Sequence, residues 1–229
     1  MTIREAEKRL GVRIAGLGAV NFAKMLAGGA DTDKKMVDGI KEMVYARLVE
    51  YIDIEGYPTE ASPDFKEANV SDLVLYTIGP VIAAVRKMGR KICLRREKEM
   101  ISVDGVMGGN EEFVVVDEIA LAEDKAVLVI EAKRTSTGQA MKQIMLSLKD
   151  ARDNNQAGTV YGFVTTGQHW KMLSYDGASF LTTPEFMAVF EGMEEEKESW
   201  MKECSVVDCL VVALTTGGTV KDVVAGGSY

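Results

Sequence analysis

Glu131 and Lys133 stand two residues apart in Ile130-Glu131-Ala132-Lys133, at the end of an apolar run, Ala126–Ile130. On a strand, residues so spaced point to the same face. An earlier run, Phe113–Leu121, carries Asp117 and Glu118 in its middle. Both runs are rich in Val and Ile and lack Gly and Pro, so both read as strands. Their apolarity on both faces places them inside a sheet. Charges on such strands are unfavourable unless they have partners or a chemical role. Two carboxylates and an ammonium on one patch suit a hard divalent cation, because Mg²⁺ takes one or two carboxylates plus water and phosphate oxygens. Such an ion lowers the pKa of a bound water and offsets charge on a phosphate in transit. A lysine beside it can orient that water and stabilise the added negative charge.

Which acid faces Glu131 depends on turn length. A loop of odd length centred on Asp124 sets Asp117 opposite Glu131. A two-residue turn at Glu123-Asp124 sets Val116 there and leaves Glu118 on the same face as Glu131. The residues alone leave both acids open.

The elements that must position these residues follow from periodicity. Residues 2–27 and 31–51 read as helices, the second capped by Asp31 or Asp33. A Pro- and Gly-containing link around Pro58 and Pro63 marks a boundary, giving a helical segment at 1–60, a core at 61–215 and a glycine-rich tail at 216–229. Ser71 reads as the N-cap of a helix from Asp72 to about Met88, with a break near Gly79-Pro80. Strands are expected at Lys91–Arg96 and Met100–Val103, then a loop at Asp104–Asn110 and the charged hairpin. A helix over Gln139–Asn154 joins that hairpin to strands at Val160–Thr165, Trp170–Tyr175 and Ser179–Leu181. The strand–helix–strand unit from Ala126 to Thr165 predicts a parallel crossover. Pro184–Lys202 reads as a helix, and Val206–Leu214 as its continuation or an edge strand. The whole predicts an α/β fold with a mixed sheet flanked by helices and an N-terminal helical appendage.

Composition narrows the chemistry. The 229 residues carry a net charge of −8, so nucleic-acid binding would need a local basic patch or metal ions. Cys93, Cys204 and Cys209 have no metal-type spacing and read as reduced, buried thiols of an intracellular protein. His169 is the single histidine, so no Ser/His or Cys/His scheme is available elsewhere in the chain, and no multi-histidine metal site. No secretion signal is visible, and Val206–Leu214 is too short to span a bilayer, so a soluble protein without a membrane partner is expected.

Asp117 followed by Glu131-Ala132-Lys133 resembles the signature of the PD-(D/E)xK nuclease superfamily. With Arg134, a helix bearing Gln143, and strands at 160–166 and 170–175, the chain resembles the nuclease domain of type I restriction enzyme motor subunits. It is also similar to nuclease-like domains of crinkler-type effectors. The resemblance covers roughly residues 70–183. It implies a restriction-endonuclease-like core that hydrolyses phosphodiester bonds with Mg²⁺ or Mn²⁺, with DNA first and RNA second as substrate. It implies Asp117, Glu131, Lys133 and Gln143 as catalytic residues, and Asp117, Glu131 and the main chain of Ala132 around the metal. Arg134, Lys142, Lys149 and Arg152 would bind nucleic acid, the last three sharing a helix face. Homodimers and a nuclear location are compatible with that role. The chain departs from the pattern at Val116, where the family often has Pro, and at Ser147, where it has Tyr. Asp72 and Glu67 are the candidates for its first-helix acid. These departures carry a second expectation, a nuclease-like fold without catalysis that serves as a nucleic-acid or protein interaction module.

Overall fold

A seven-stranded mixed sheet carries the site, and the apolar runs form its centre. The computed structural model describes residues 1–29, 32–59, 62–101, 108–120, 123–134 and 137–218. Four helices come first: α1 (Ile3–Leu10), α2 (Phe22–Leu26), α3 (Lys34–Glu55) and α4 (Glu67–Lys87). Then follow β1 (Ile92–Ile101), β2 (Gly108–Ala120), β3 (Glu123–Ala132), α5 (Thr137–Asn155), β4 (Val160–Thr165), β5 (His169–Tyr175), β6 (Phe180–Thr182) and β7 (Phe186–Met187). The chain continues through α6 (Lys197–Glu203) and α7 (Val206–Thr216). The sheet order is β1-β2-β3-β4-β5-β6, with β7 beside β5. Among the named strands of the described residues, β3 and β4 alone pair in parallel, joined through α5 as the crossover reading requires.

Alternation along the central strands builds two cores. Phe113, Val115, Leu128, Ile130 and Ala132 pack toward α3, α4 and α7. Val114, Val116, Val129 and Val164 pack toward α5, whose Ala140, Ile144, Met145, Leu148 and Ala151 are buried. Helices on both faces explain why these strands are apolar at every position. The α5 contact depends on Gly162 of β4. A Cβ there would lie 2.9 Å from Ile144 Cγ1 and 3.1 Å from Leu148 Cδ1. Gly162→Ala is therefore expected to destabilise the fold by about 1–3 kcal/mol through overpacking, read as a lower denaturation midpoint in urea.

Several expectations change. The N-terminal segment shares the core: Val37, Ile40, Val44 and Leu48 of α3 lie in the same cluster as Leu73 and Ile78 of α4. Asp33 caps α3 by accepting from Lys35 N at 2.9 Å, while Asp31 lies outside the described residues. α4 begins at Glu67 and runs through Pro80, so Ser71 sits one turn inside the helix. Asn69 accepts from Lys66 N at 2.7 Å and starts the helix earlier than Ser71 would. α4 is long and apolar enough to cross a membrane, but Val70, Leu73, Val74, Ile78, Val81 and Val85 are buried in this core. β1 is one strand through Ile101, in constant register with β2, although Glu97 adopts φ 50°. The predicted 184–202 helix is replaced by β7, a 3₁₀ turn at Met193–Glu195 and the short α6. Gly192, at φ 81°, breaks it, and Phe186 pairs with Trp170. Val206–Thr216 is helical, but as a separate helix and not a continuation, because the chain is extended at Cys204 between α6 and α7. Residues 102–107, 121–122, 135–136 and 219–229, including parts of the expected loops and the tail, lie outside the described residues.

Candidate functional site

The register of β2 on β3 decides which acid meets Glu131. Phe113 pairs with Ile130, Val114 with Val129 and Val115 with Leu128. The register then shifts, so that Val116 faces Ala126 and Asp117 faces Lys125, and the ladder closes with Ala120 opposite Glu123. Glu123 and Asp124 belong to β3.

Asp117 is consequently not a neighbour of Glu131. Its partner Lys125 precedes Glu131 by six positions on β3, roughly 20 Å at about 3.3 Å per residue. Asp117 instead receives Arg90 at 3.0 Å, on the α7 side of the sheet. The same guanidinium donates to the carbonyls of Leu214 and Gly217, tying the end of α7 to β2. Glu118, the other option, is exposed and pairs with Arg95 at 3.1 Å. The expected convergence of Asp117, Glu131 and Lys133 does not form.

Another acid takes that place. The Phe113–Ile130 pair brings Glu112 and Glu131 side by side at the end of the ladder. Glu112 accepts a hydrogen bond from Ser71 Oγ and another from the Ala132 N–H. Glu131 is 1 % exposed at its side chain, and Lys133 Nζ lies 2.8 Å from its Oε1. That contact is an ion pair off the line of a hydrogen bond, and neither Glu131 oxygen has an aligned donor. Glu67, the first residue of α4, accepts the Arg134 N–H at 3.2 Å on both oxygens. Glu67 and Ser71 are one helical turn apart and so share a face. Of the two first-helix options, Glu67 is at this site and Asp72 is exposed on the helix surface.

The charges perturb one another. Burial pushes the Glu131 carboxyl above its ordinary range; Lys133 opposes this, and Glu112 and Glu67 add to it. Burial also pushes Glu112 up, against the Ser71 hydrogen bond and the Lys133 charge. For Lys133, burial acts downward, but contact with Glu131 and the fields of Glu131, Glu112 and Glu67 prevail and raise it. Glu67, Glu112 and Glu131 thus act on one ammonium, and Glu131 is the most buried of the three.

Among the described residues, no three His, Cys, Asp or Glu side chains are close enough to form a preformed metal cage. The strand register sets Glu112 and Glu131 side by side, and the Ala132 N–H donates to Glu112.

The remaining expected residues are less involved. Gln143 is half-buried on α5, and no hydrogen bond joins its side chain to the acids among the described residues. Ser147 is buried and donates to the Gln143 carbonyl at 3.0 Å. Arg134 borders the site through its main chain and reaches the Ser62 carbonyl at 3.2 Å. The other three basic residues have internal partners: Lys142 with the Met1 carbonyl at 3.1 Å, Lys149 with Asp153 at 2.8 Å, and Arg152 with the Asp176 carbonyl at 3.2 Å. α1 also lies over α5, with Arg9 pairing Asp150 at 2.7 Å. The expected basic stripe is thus largely committed within the chain.

Comparison with protein families and with curated proteins gives no match.

Proposed function

We propose that this chain is a divalent-cation-dependent nuclease whose site is Glu67, Glu112, Glu131 and Lys133. One observation carries the reading. A carboxylate sealed from solvent, Glu131, has no aligned hydrogen-bond donor among the described residues and sits between a lysine 2.8 Å away and a second carboxylate. A purely structural core would gain by replacing it with an apolar residue. The restriction-endonuclease-like form of the fold belongs to the same proposal, supported by the strand–helix–strand unit that carries Glu-Ala-Lys at the end of β3.

In this reading Glu112, Glu131 and the Ala132 carbonyl would hold Mg²⁺ or Mn²⁺. When bound, such an ion supplies an acidified water and a counter-charge for phosphate. Lys133 orients the attacking water and stabilises charge gathering on the phosphate oxygens. Ser71 fixes the Glu112 carboxylate. Glu67 pins the main chain that follows Lys133, so the lysine is held from both sides. DNA is the substrate carried over from the resemblance, and parallel assays on RNA separate the two.

Titration calorimetry with Mn²⁺ and Mg²⁺, beside a plasmid-nicking assay, tests the reading. The unaltered chain should take up the ion and nick plasmid. Lys133→Ala should keep ion uptake and lose about 10²–10³-fold in rate. Undiminished nicking by Lys133→Ala ends the assignment. Glu112 and Glu67 already accept hydrogen bonds from Ser71, Ala132 and Arg134, which favours the second reading, a non-catalytic interaction module. Absence of Glu131-dependent ion uptake would select that module.

A further inference from the structure

Beyond Lys133 the site continues across the sheet. Glu131 pairs with Val164 of β4, and Val164 pairs with Lys171 of β5. Residues in register across neighbouring strands share a face, so Glu131, Val164 and Lys171 form one row on the α5 side. Two strand spacings separate the ends of the row, about 10 Å between main chains. A shallow cleft lies along it, bordered by Lys133, Thr165, Thr166, His169, Lys171 and Glu185. His169 Nδ1 is 3.4 Å from Glu185 Oε1, so the two acidic and imidazole groups on the rim are engaged with each other. Lys171 has no ion pair among the described residues.

The backbone beneath this cleft is preset. Thr165 Oγ1 accepts the Gly167 N–H at 2.8 Å, Thr166 Oγ1 accepts the His169 N–H at 3.2 Å, and Trp170 Nε1 donates to the Gly167 carbonyl at 2.8 Å. Gly167 has φ 85°, and a Cβ there would come within 2.7 Å of Leu73 Cδ2. The turn that leads into Lys171 is thereby locked between the sheet and α4. A cation without an ion pair among the described residues, on a rigid strand beside a proposed phosphate-cleaving site, is placed to hold anion rather than to support the fold.

We infer that the cleft between Lys133 and Lys171 seats a backbone phosphate of a nucleic-acid strand, next to the phosphate that is cleaved, with Lys171 as its positioning cation. The inference rests on the nuclease reading and extends it to how the strand lies, running from the acids of β2 and β3 toward β5. It also replaces the α5 basic residues, whose side chains have partners within the chain, as the main strand contact. Glu185 is the negative rim of the same cleft, so removing its charge should favour the strand.

The test uses the full chain and a fluorescein-labelled DNA oligonucleotide, single-stranded and duplex, with Ca²⁺ in place of Mg²⁺ to hold the strand without turnover. Lys171→Ala is expected to weaken binding about tenfold at low salt and to make the log–log salt slope shallower by about 0.7–0.9. Lys171→Arg should restore most of the affinity, and Glu185→Gln should tighten binding. Under turnover with Mg²⁺, Lys171→Ala should raise KM and leave kcat within about twofold. Lys171→Ala binding with unaltered affinity and slope overturns the inference, as does failure of the unaltered chain to bind either oligonucleotide. Ion uptake and melting temperature of Lys171→Ala should match the unaltered chain, which separates a lost strand contact from a damaged site. A chain that binds the strand through Lys171 but neither takes up the ion nor cleaves would sink the nuclease reading and leave the binding cleft standing.

Discussion

Glu131→Gln is expected to melt above the unaltered protein when divalent ions are absent, by roughly 1 kcal/mol at neutral pH or about 2–4 °C for a chain of this size. The Glu131 carboxylate is buried without aligned donors, and its pKa is raised chiefly by burial. An acid raised in the folded state contributes stability that is complete below the unfolded value, about 4.3, and that fades as pH rises through the folded value. Glu131 and Glu112 are both shifted this way. The melting curves of the two proteins should therefore converge in acid and separate as pH rises toward neutrality. Lys133 is 39 % exposed at its side chain, so water can solvate it when its partner is neutral. Adding Mn²⁺ should reverse the order. It should raise the melting point of the unaltered protein, more at higher pH because the ligands must be deprotonated, and leave Glu131→Gln unmoved. Fluorimetric melts from about pH 4 to 8 read both effects. A Glu131→Gln protein that melts lower at neutral pH without metal would mean that Glu131 is a structural ion-pair partner.

The second large effect separates two acids only five residues apart in the sequence. Asp117→Asn should weaken the fold by about 2 kcal/mol, because the pair with Arg90 is 14 % exposed on each side and Arg90 also clamps the end of α7. It should leave ion uptake and cleavage intact in the folded fraction. Glu112→Gln should do the opposite, abolishing ion uptake and lowering cleavage by about 10²-fold or more while the melting point holds or rises. Urea denaturation and calorimetry on the two proteins decide it. Loss of ion uptake in Asp117→Asn, with Glu112→Gln unaffected, would restore Asp117 to the site and would contradict the pairing of Phe113 with Ile130.

Much of the site's frame was legible from residue types. The apolar runs around 113 and 128, the helix read over 139–154 and the parallel return at 160–165 all follow from patterning. Burial on both faces leaves few alternatives for strands so rich in Val and Ile. The proximity of Glu131 and Lys133 needed only the two-residue period of a strand. Glu112 was missed for a definable reason. The apolar run reads through Leu121, and both turns open to the sequence, an odd-length loop centred on Asp124 or a two-residue turn at Glu123-Asp124, place these acids in the turn. In the structure those acids are in β3, and this placement moves the partner of Glu131 from the middle of the apolar run to the residue just before it. The signal was present in the adjacency of Glu112 to Phe113, but hairpin register is a property of two strands together.

From the chain alone came the α/β class, the central hairpin and crossover, and the pairing of an acid with a lysine on one strand, because each depends on local periodicity and burial preference. Only the tertiary structure decided that Glu112 and Glu67, not Asp117, stand beside Glu131. It also placed α1 over α5 among that helix's lysines and arginines, and Lys171 in the row with Glu131. These facts depend on register, on where a helix begins, and on which surfaces pack. Such relations between distant segments emerge when the whole core closes, and residue spacing within one segment does not encode them.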